Sequence, residues 1–371
     1  MKNLLLLSLI AISCAVVLSC QPRPTGLKDL VKGRYIGAAL NYQQVAGQDS
    51  IAEGIVSTQF NTITPENQLK WERVHPLPDK YNFGPVDQFV EYGESHNMFM
   101  VGHTLVWHQQ TPAWVFQDEE GNPATAEVLE QRMRDHIQTV MGKYKGRIQS
   151  WDVVNEALEM DGSWRDTEYY RIMGESYVAK AFRIAREADP EAELYYNDYD
   201  IWKPEKRDGV VRLVNELEAQ GIKVDGIGIQ GHWGLDWPDL DELEKSIIAF
   251  AKVTDKVMIT ELDMNILPAA WDHIGADISK NFELSDALNP WPDALPDSMQ
   301  QKLTDRYRDL FALFQKHSDK VNRITFWGVT DKGSWLNNWP VRGRTAYPLL
   351  WDRQGNPKPA YNAVVDVLSE K

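Results

Sequence analysis

Short β-type runs alternate with longer amphipathic stretches along nearly the whole chain, and this alternation constrains the fold more than any other feature. Several of the short runs are continuously apolar, as expected for parallel strands that are covered on both faces. We predict eight strands, at 35–39, 62–64, 98–102, 150–154, 194–196, 226–229, 257–260 and 324–327. Helices are predicted between them, at 125–143, 167–188, 205–220, 239–253, 298–317 and 359–369.

Eight β/α units in one chain of 371 residues predict an α/β fold, the TIM (β/α)8 barrel. No low-complexity linker interrupts the pattern, so we predict a single catalytic domain over residues 27–371. An open doubly wound sheet is the alternative. It would bring a nucleotide site, but no Gly-rich phosphate loop follows any predicted strand.

The N-terminus has the pattern of an export signal, with Lys2 followed by an apolar run over 4–18. Small residues directly before Cys20 are typical of a bacterial lipoprotein, so we predict a signal peptide over 1–19 and acylation of Cys20. Residues 20–26 would then form a short tether from a bacterial membrane, which we expect to be the outer one, in the periplasm or at the cell surface. A plain secretory signal is the alternative.

The net charge and the aromatic content of the chain indicate which kinds of molecule it can bind. The chain has 39 Lys and Arg against 54 Asp and Glu, a formal net charge of -15, which opposes binding to nucleic acid. It also has 14 Trp and 14 Tyr, whose flat rings with a polar edge suit the faces of sugars or the packing of a core. We expect a monomeric catalytic domain that binds a carbohydrate.

Six of the predicted strands run directly into polar or aromatic side chains. In a TIM barrel the carboxyl ends of the strands converge on one mouth, where active sites lie. The sequence therefore predicts a shared site formed by these residues: Glu66, Asn67, His103, Asn155, Glu156, Gln230, His232, Glu261, Asp263 and Trp327.

Two of these residues have the chemistry that cleavage of a glycosidic bond requires. The reaction needs a proton donor for the leaving oxygen and a second carboxylate, across one pocket. Glu156 and Glu261 follow the fourth and seventh predicted strands, which face each other across a barrel. Asn155 can hydrogen-bond a sugar 2-hydroxyl, and His232, oriented by Asp263, can donate to Glu261 and keep it ionised.

Three histidines leave a zinc hydrolase open as an alternative, because such enzymes use three protein ligands and an open position. They are His103, His108 and His232, but no helical His-x-x-x-His pair is present. We therefore predict neither a metal nor another cofactor.

Seven segments of the chain are distinctive: TPENQLKW (64–71), GHTLVWH (102–108), WDVVNEA (151–157), DGIGIQGH (225–232), ITELD (259–263), WGVTDKGSW (327–335) and PKPAY (357–361). These segments resemble the family 10 glycoside hydrolases and occur in that family's order. The resemblance covers the chain from about Gly33 to the C-terminus and implies an endo-β-1,4-xylanase that acts with retention on a TIM barrel.

The resemblance also implies separate roles for the site residues. Glu156 would be the acid/base and Glu261 the nucleophile. Trp327 and Trp335 would cover the sugars next to the cleaved bond, and His108 and Asp263 would support the site. The sugars on the non-reducing side would be bound by Glu66, Asn67, Lys70, His103, Trp107 and Gln230.

Two other functions stay open from the sequence. One is a β-1,4-glucanase, which would need room for the hydroxymethyl group of glucose. The other is a surface lipoprotein that captures glycan without cutting it. The long stretch over 265–297, with four prolines and two tryptophans, follows the strand of the predicted nucleophile. We expect it either to wall the leaving-group side, to accommodate a branch on the substrate, or to be a surface loop without a role.

Overall fold

The computed structural model describes residues 26–268 and 282–370. Cys20, the predicted signal peptide, the tether up to residue 25 and residues 269–281 lie outside this part of the chain. Nine strands are present in the described part: β1 Tyr35–Leu40, β2 Thr62–Pro65, β3 Phe99–Val106, β4 Ser150–Asn155, β5 Glu193–Asp198, β6 Gly226–Ile229, β7 His232–Gly234, β8 Lys256–Asn265 and β9 Val321–Phe326.

Helices follow most of these strands. In chain order they are α1 Leu27–Leu30, α2 Tyr42–Val45, α3 Ser50–Gln59, α4 Trp71–Val74, α5 Gly84–Ser95, α6 Ala126–Lys143, α7 Glu168–Met173, α8 Ser176–Ala188, α9 Pro204–Glu218, α10 Leu240–Phe250, α11 Asp297–Lys316 and α12 Pro359–Ser369. Among the described residues, no helix combines the length and apolar character needed to cross a membrane.

The strands close into a parallel barrel. Eight of them pair in the circular order β1-β2-β3-β4-β5-β6-β8-β9, and β9 returns to β1, so the sheet has no free edge. The short strand β7 lies outside this circle and extends the pairing of β8, with His232 opposite Asp263. The predicted TIM barrel is therefore confirmed.

Burial explains why these segments form strands. All six residues of β4 are buried, and eight of the ten residues of β8 are buried, because helices cover the barrel from outside while polar side chains fill its mouth. β3 and β8 extend farthest beyond their predicted ends, since β3 continues to Val106 and β8 to Asn265. His103 and Glu261 consequently lie within strands and not after them.

The prediction of one helix over 167–188 is wrong. The structure has two helices, α7 and α8, and Gly174 separates them with φ +60 and ψ -160. This backbone region is essentially confined to glycine, so the residue ends the first helix although the apolar spacing continues past it. Thr167 begins α7 as its cap, accepting a hydrogen bond from the amide of Tyr170.

Candidate active site

The barrel mouth brings the two predicted catalytic carboxylates into one buried site. Glu156 directly follows β4 and is 4% exposed, and Glu261 lies inside β8 and is 5% exposed. Glu156 has φ +59, a region that non-glycine residues seldom occupy and that is common at functional sites. Its amide donates to the carbonyl of Asn197 on the neighbouring strand at 2.9 Å, which helps to hold this conformation.

Neutral donors surround the carboxyl group of Glu156. The indole Nε1 of Trp107 donates to Oε2 at 2.9 Å. The amide side chains of Gln230 and Asn155 donate to Oε1, at 2.9 and 3.2 Å respectively. None of these three groups carries a charge, so the site holds Glu156 in place without a salt bridge to it.

Glu261 has a different environment, because one of its partners is an imidazole between two carboxylates. The amide of Asn197 donates to Oε1 at 2.7 Å, and His232 Nε2 lies 3.1 Å from Oε2. Burial alone would raise the pKa of Glu261. The hydrogen bond from His232, the electrostatic effects of His103 and His232, and the hydrogen bond from Asn197 outweigh burial, and the pKa of Glu261 is lowered.

His232 is held as a cation by acidic neighbours. Its Nδ1 lies 2.9 Å from Oδ1 of Asp263, and Nε2 contacts Glu261. Burial lowers the pKa of His232, but the charge and hydrogen bond of Asp263, followed by those of Glu261, raise it to about 10. Trp335 donates to the other oxygen of Asp263 at 2.7 Å, so the predicted contact among His232, Asp263 and Glu261 is present and includes a tryptophan.

Asn197 joins the two halves of the site, and sequence reasoning missed it. Besides donating to Glu261, its amide nitrogen donates to Oδ1 of Asn155 at 3.0 Å, and Gln230 donates to that same oxygen at 3.2 Å. The hydroxyl of Thr260 donates to Oδ1 of Asn197 at 2.6 Å. Asn197 could have been found from its position, because it directly follows the predicted strand 194–196, just as the predicted site residues follow theirs.

A buried ion pair supports the backbone beside Glu156, and the sequence did not indicate it. Lys206 Nζ lies 2.8 Å from Asp198, and both side chains are fully buried. Burial raises the pKa of Asp198 even though Lys206 and Arg165 act to lower it. Arg165 also donates to the carbonyl of Glu156 at 3.0 Å, so these charges help to position the acidic side chain.

The residues after β2 form a polar group on one side of the mouth. Lys70 is buried, donates to Oδ1 of Asn67 at 3.1 Å, and lies 5.0 Å from the ring centre of Trp107. Burial lowers the pKa of Lys70, although Glu66 and the two central carboxylates act to raise it. Burial likewise raises the pKa of Glu66 against the opposing effects of Lys70 and Asn67.

Two of the predicted histidines have partners outside the carboxylate pair. His103 Nδ1 lies 2.9 Å from Asp152, and the ring packs edge-on against Trp327, with centroids 5.3 Å apart. His108 packs edge-on against Trp107, and burial and the charge of Arg165 lower its pKa to about 4. Within 26–268 and 282–370, no three His, Cys, Asp or Glu side chains are grouped so as to hold a metal ion.

The described part of the 265–297 stretch packs on the segment that carries Trp335. Leu267 and Trp291 form a small apolar cluster with Leu336 and Ala346, against which Trp335 also packs. The carbonyl of Trp291 accepts a hydrogen bond from the hydroxyl of Tyr347 at 2.7 Å. Trp271, the second tryptophan of this stretch, lies outside the described residues.

Two xylanases have sequences that align with almost the whole chain. An endo-1,4-beta-xylanase A from Xylanibacter ruminicola is 43% identical over 347 residues, which are 93% of this chain and 94% of that protein. A beta-1,4-xylanase from Dictyoglomus thermophilum is 40% identical over 342 residues, 91% of this chain and 90% of that protein.

Solved structures agree with the fold. A GH10 endoxylanase retrieved from a sugarcane soil metagenome is 45% identical and superposes with a TM-score of 0.88, covering 92% of this chain and all of that one. A xylanase from Paenibacillus barcinonensis, complexed with a conduramine derivative, is 36% identical with a TM-score of 0.83, over 93% of this chain and 99% of that one. The model of glycosyl hydrolase family 10 matches residues 26–367, and the chain belongs to this family.

Proposed function

We propose that this protein is a retaining endo-1,4-β-xylanase in which Glu156 is the acid/base and Glu261 the nucleophile. The observation that carries the assignment is the difference between the two carboxylates. Glu261 contacts the imidazolium of His232 and has a lowered pKa, whereas the carboxyl group of Glu156 accepts hydrogen bonds from the neutral side chains of Trp107, Gln230 and Asn155. A nucleophile must be ionised, so the environment of Glu261 matches that role, and the acid/base role is then left to Glu156.

In the first step, Glu261 attacks the anomeric carbon while Glu156 gives its proton to the departing glycosidic oxygen. The product is a sugar bonded covalently to Glu261, and the leaving chain departs with the proton of Glu156. In the second step, the ionised Glu156 takes a proton from water, and the resulting oxygen displaces Glu261 from the sugar. Two inversions give overall retention, and both carboxyl groups return to their starting states.

The surroundings of the carboxylates support the predicted sugar-binding roles. The amide nitrogen of Asn155 lies 3.2 Å from Oε1 of Glu156 and is therefore close to the reacting carbon. From this position it can donate to the 2-hydroxyl of the sugar. Glu66, Asn67 and Lys70 offer donors and acceptors for hydroxyls on the non-reducing side. Trp327 and Trp335 supply bulk beside the proximal sugar, which suits xylose, because xylose lacks the hydroxymethyl group of glucose.

The anomer that forms first tests this function. Xylan would be digested in an NMR tube and the anomeric signals followed before mutarotation. We expect the β-anomer to appear first, whereas an α-anomer would overturn the role of Glu261 as nucleophile. Equal or higher rates on an aryl cellobioside than on the aryl xylobioside would favour a glucanase instead.

We further propose that the protein is a lipoprotein, with a signal peptide over 1–19, acylated Cys20 and a tether to a monomeric catalytic domain. The support is the sequence pattern, since these residues lie outside the described part of the structure. When the full chain is expressed in a diderm bacterium, cell fractionation should find it in the outer membrane. The catalytic domain would then face the periplasm or the cell surface. Replacing Cys20 by alanine should release it, and membrane association of that variant would refute the anchor.

The 265–297 stretch is proposed to wall the leaving-group side or to accommodate a substrate branch. Its described residues support this because they pack on the segment of Trp335, close to the reacting centre. Shortening the stretch at 269–281 should change the product pattern or the tolerance of branches. Unchanged kinetics on linear and decorated xylan would remove the role.

A further inference from the structure

Trp237 is the one tryptophan in the described part of the chain whose side chain is exposed, at 41%. It belongs to the loop that follows β7, and β7 begins with His232, the partner of the nucleophile. An exposed indole beside this strand is relevant because its flat apolar face and polar edge suit the face of a sugar ring.

The strand fixes the face on which the Trp237 ring lies. A Cβ atom on Gly234 would come within 2.4 Å of Trp237 Nε1, so the indole covers the position that a side chain at 234 would occupy. Alternate residues of a strand point to the same face, so this is the face of His232. Trp233, between them, points the opposite way and is buried against Phe314.

The indole therefore lies beside position 234, on the same face of β7 as His232. Positions 232 and 234 are roughly 7 Å apart along the strand, since two strand residues span about that distance. The loop of Trp237 is firmly held. The amide of Gly234 donates to the carbonyl of Trp237 at 3.0 Å, and Arg306 donates to the carbonyl of Pro238 at 2.6 Å from the buried side. A preorganised ring loses little entropy when a ligand binds to it.

The circular strand order gives the direction of the ligand. In the order β1-β2-β3-β4-β5-β6-β8-β9, β6 is four strands from β2, so the two lie opposite each other. Glu66 and Lys70 follow β2 and are assigned to the non-reducing side, whereas Trp237 follows β6 and β7. A linear chain that enters over β2 and passes the carboxylates leaves over Trp237.

We propose that Trp237 is a stacking platform for a xylosyl unit on the leaving-group side of the cleaved bond. The assignment rests on the proposed xylanase function and extends it to the acceptor half of the substrate. The apolar face of a pyranose ring packs on the indole, while its hydroxyls stay in water. The platform favours substrates that extend several units beyond the cleaved bond and helps to set which bond is cut.

The test compares the Trp237→Ala and Trp237→Phe variants with wild type on xylohexaose and on an aryl xylobioside, which has no sugar on the leaving side. We expect Trp237→Ala to lower kcat/KM on xylohexaose by roughly three- to tenfold and to shift the distribution of cleaved bonds. Its rate on the aryl xylobioside should stay at the wild-type level, and Trp237→Phe should restore part of the loss.

Tyr35 gives a matched control, because it is an aromatic residue of similar exposure, 37%, at the first position of β1, the opposite end of the barrel. Tyr35→Ala should leave the distribution of cleaved bonds unchanged. If Trp237→Ala lost kcat/KM equally on both substrates, the role of the residue would be structural and the proposed platform would be refuted. Unchanged kcat/KM and an unchanged distribution of cleaved bonds on xylohexaose would also refute it. If wild type cleaved neither substrate, the xylanase function itself would fail together with the platform.

Discussion

Replacing His232 by asparagine should weaken both the folded protein and the nucleophile. The imidazolium lies between Glu261 and Asp263, at 3.1 and 2.9 Å. Its pKa of about 10, against an ordinary 6.5, corresponds to roughly 5 kcal/mol of interaction with its surroundings, at 1.36 kcal/mol for each pKa unit. The imidazole is 22% exposed but its two carboxylate partners are 6% and 1% exposed, so its removal leaves buried carboxylates without their cation and should cost about 3–5 kcal/mol.

The pH dependence has a definite sign. The folded state raises the pKa of His232, so its contribution to stability is complete below about pH 6.5 and is lost as the pH rises through about 10. The difference in unfolding free energy between wild type and His232→Asn should therefore shrink toward pH 10. Denaturant unfolding at pH 6, 8 and 10 measures it.

The same variant should shift the activity profile. Without the imidazolium, burial dominates and raises the pKa of Glu261, so the acidic limb of kcat/KM should move up by about 1–3 pH units. An aryl xylobioside with an activated leaving group isolates the nucleophile's step. An acidic limb that stays in place would refute the claim that His232 keeps Glu261 ionised.

His96 offers the matched control. Its Nε2 lies 3.0 Å from Glu53, nearly the distance between His232 and Glu261, and the two histidines are similarly exposed, at 26% and 22%. The carboxylates differ, because Glu53 is 36% exposed whereas Glu261 is 6% exposed. Exposed ion pairs contribute about 0–1 kcal/mol, so His96→Asn should change stability little and leave the pH profile unchanged. A similar loss in both variants would show that burial is not the source of the effect.

Three further predictions concern residues around the site and the barrel. Asn197→Ala removes a hydrogen bond of 2.7 Å to the nucleophile, so kcat/KM should fall about 10- to 100-fold with the fold intact by circular dichroism; a change below twofold would contradict it. Lys206→Met leaves Asp198 buried without its cation, so the unfolding free energy in urea should fall by about 3–5 kcal/mol, and an unchanged midpoint would refute the buried pair. Gly174→Ala places a side chain at φ +60, so thermal unfolding should show a loss of about 1–3 kcal/mol, whereas a neutral result would mean that the turn relaxes freely.

The fold was predictable from the sequence because parallel strands buried on both faces leave continuous apolar runs. The runs at 99–101 and 257–259 are of this kind, and both lie in barrel strands in the structure. Boundaries were less predictable. The apolar spacing continues through Gly174, and only the backbone conformation of that glycine divides α7 from α8.

The candidate site was predictable where a strand end carried a distinctive residue, as at Glu156 and Glu261. Asn197 was missed because a single amide after a tyrosine pair has no chemistry of its own. Its importance comes from contacts with Asn155 and Glu261 on other strands, which only the closed barrel creates. The pairing of Lys206 with Asp198 is likewise a tertiary feature, since it joins a helix to a strand end.

Trapping of the covalent intermediate tests the central claim most directly. A Glu156→Ala variant lacks the base of the second step, so an aryl xylobioside with a good leaving group should form the glycosyl-enzyme faster than water removes it. Mass spectrometry of the intact protein should then show one added xylobiosyl group, and peptide mapping should locate it on Glu261. Attachment to any other residue, or steady turnover with no covalent adduct, would contradict the assignment of Glu261 as the nucleophile.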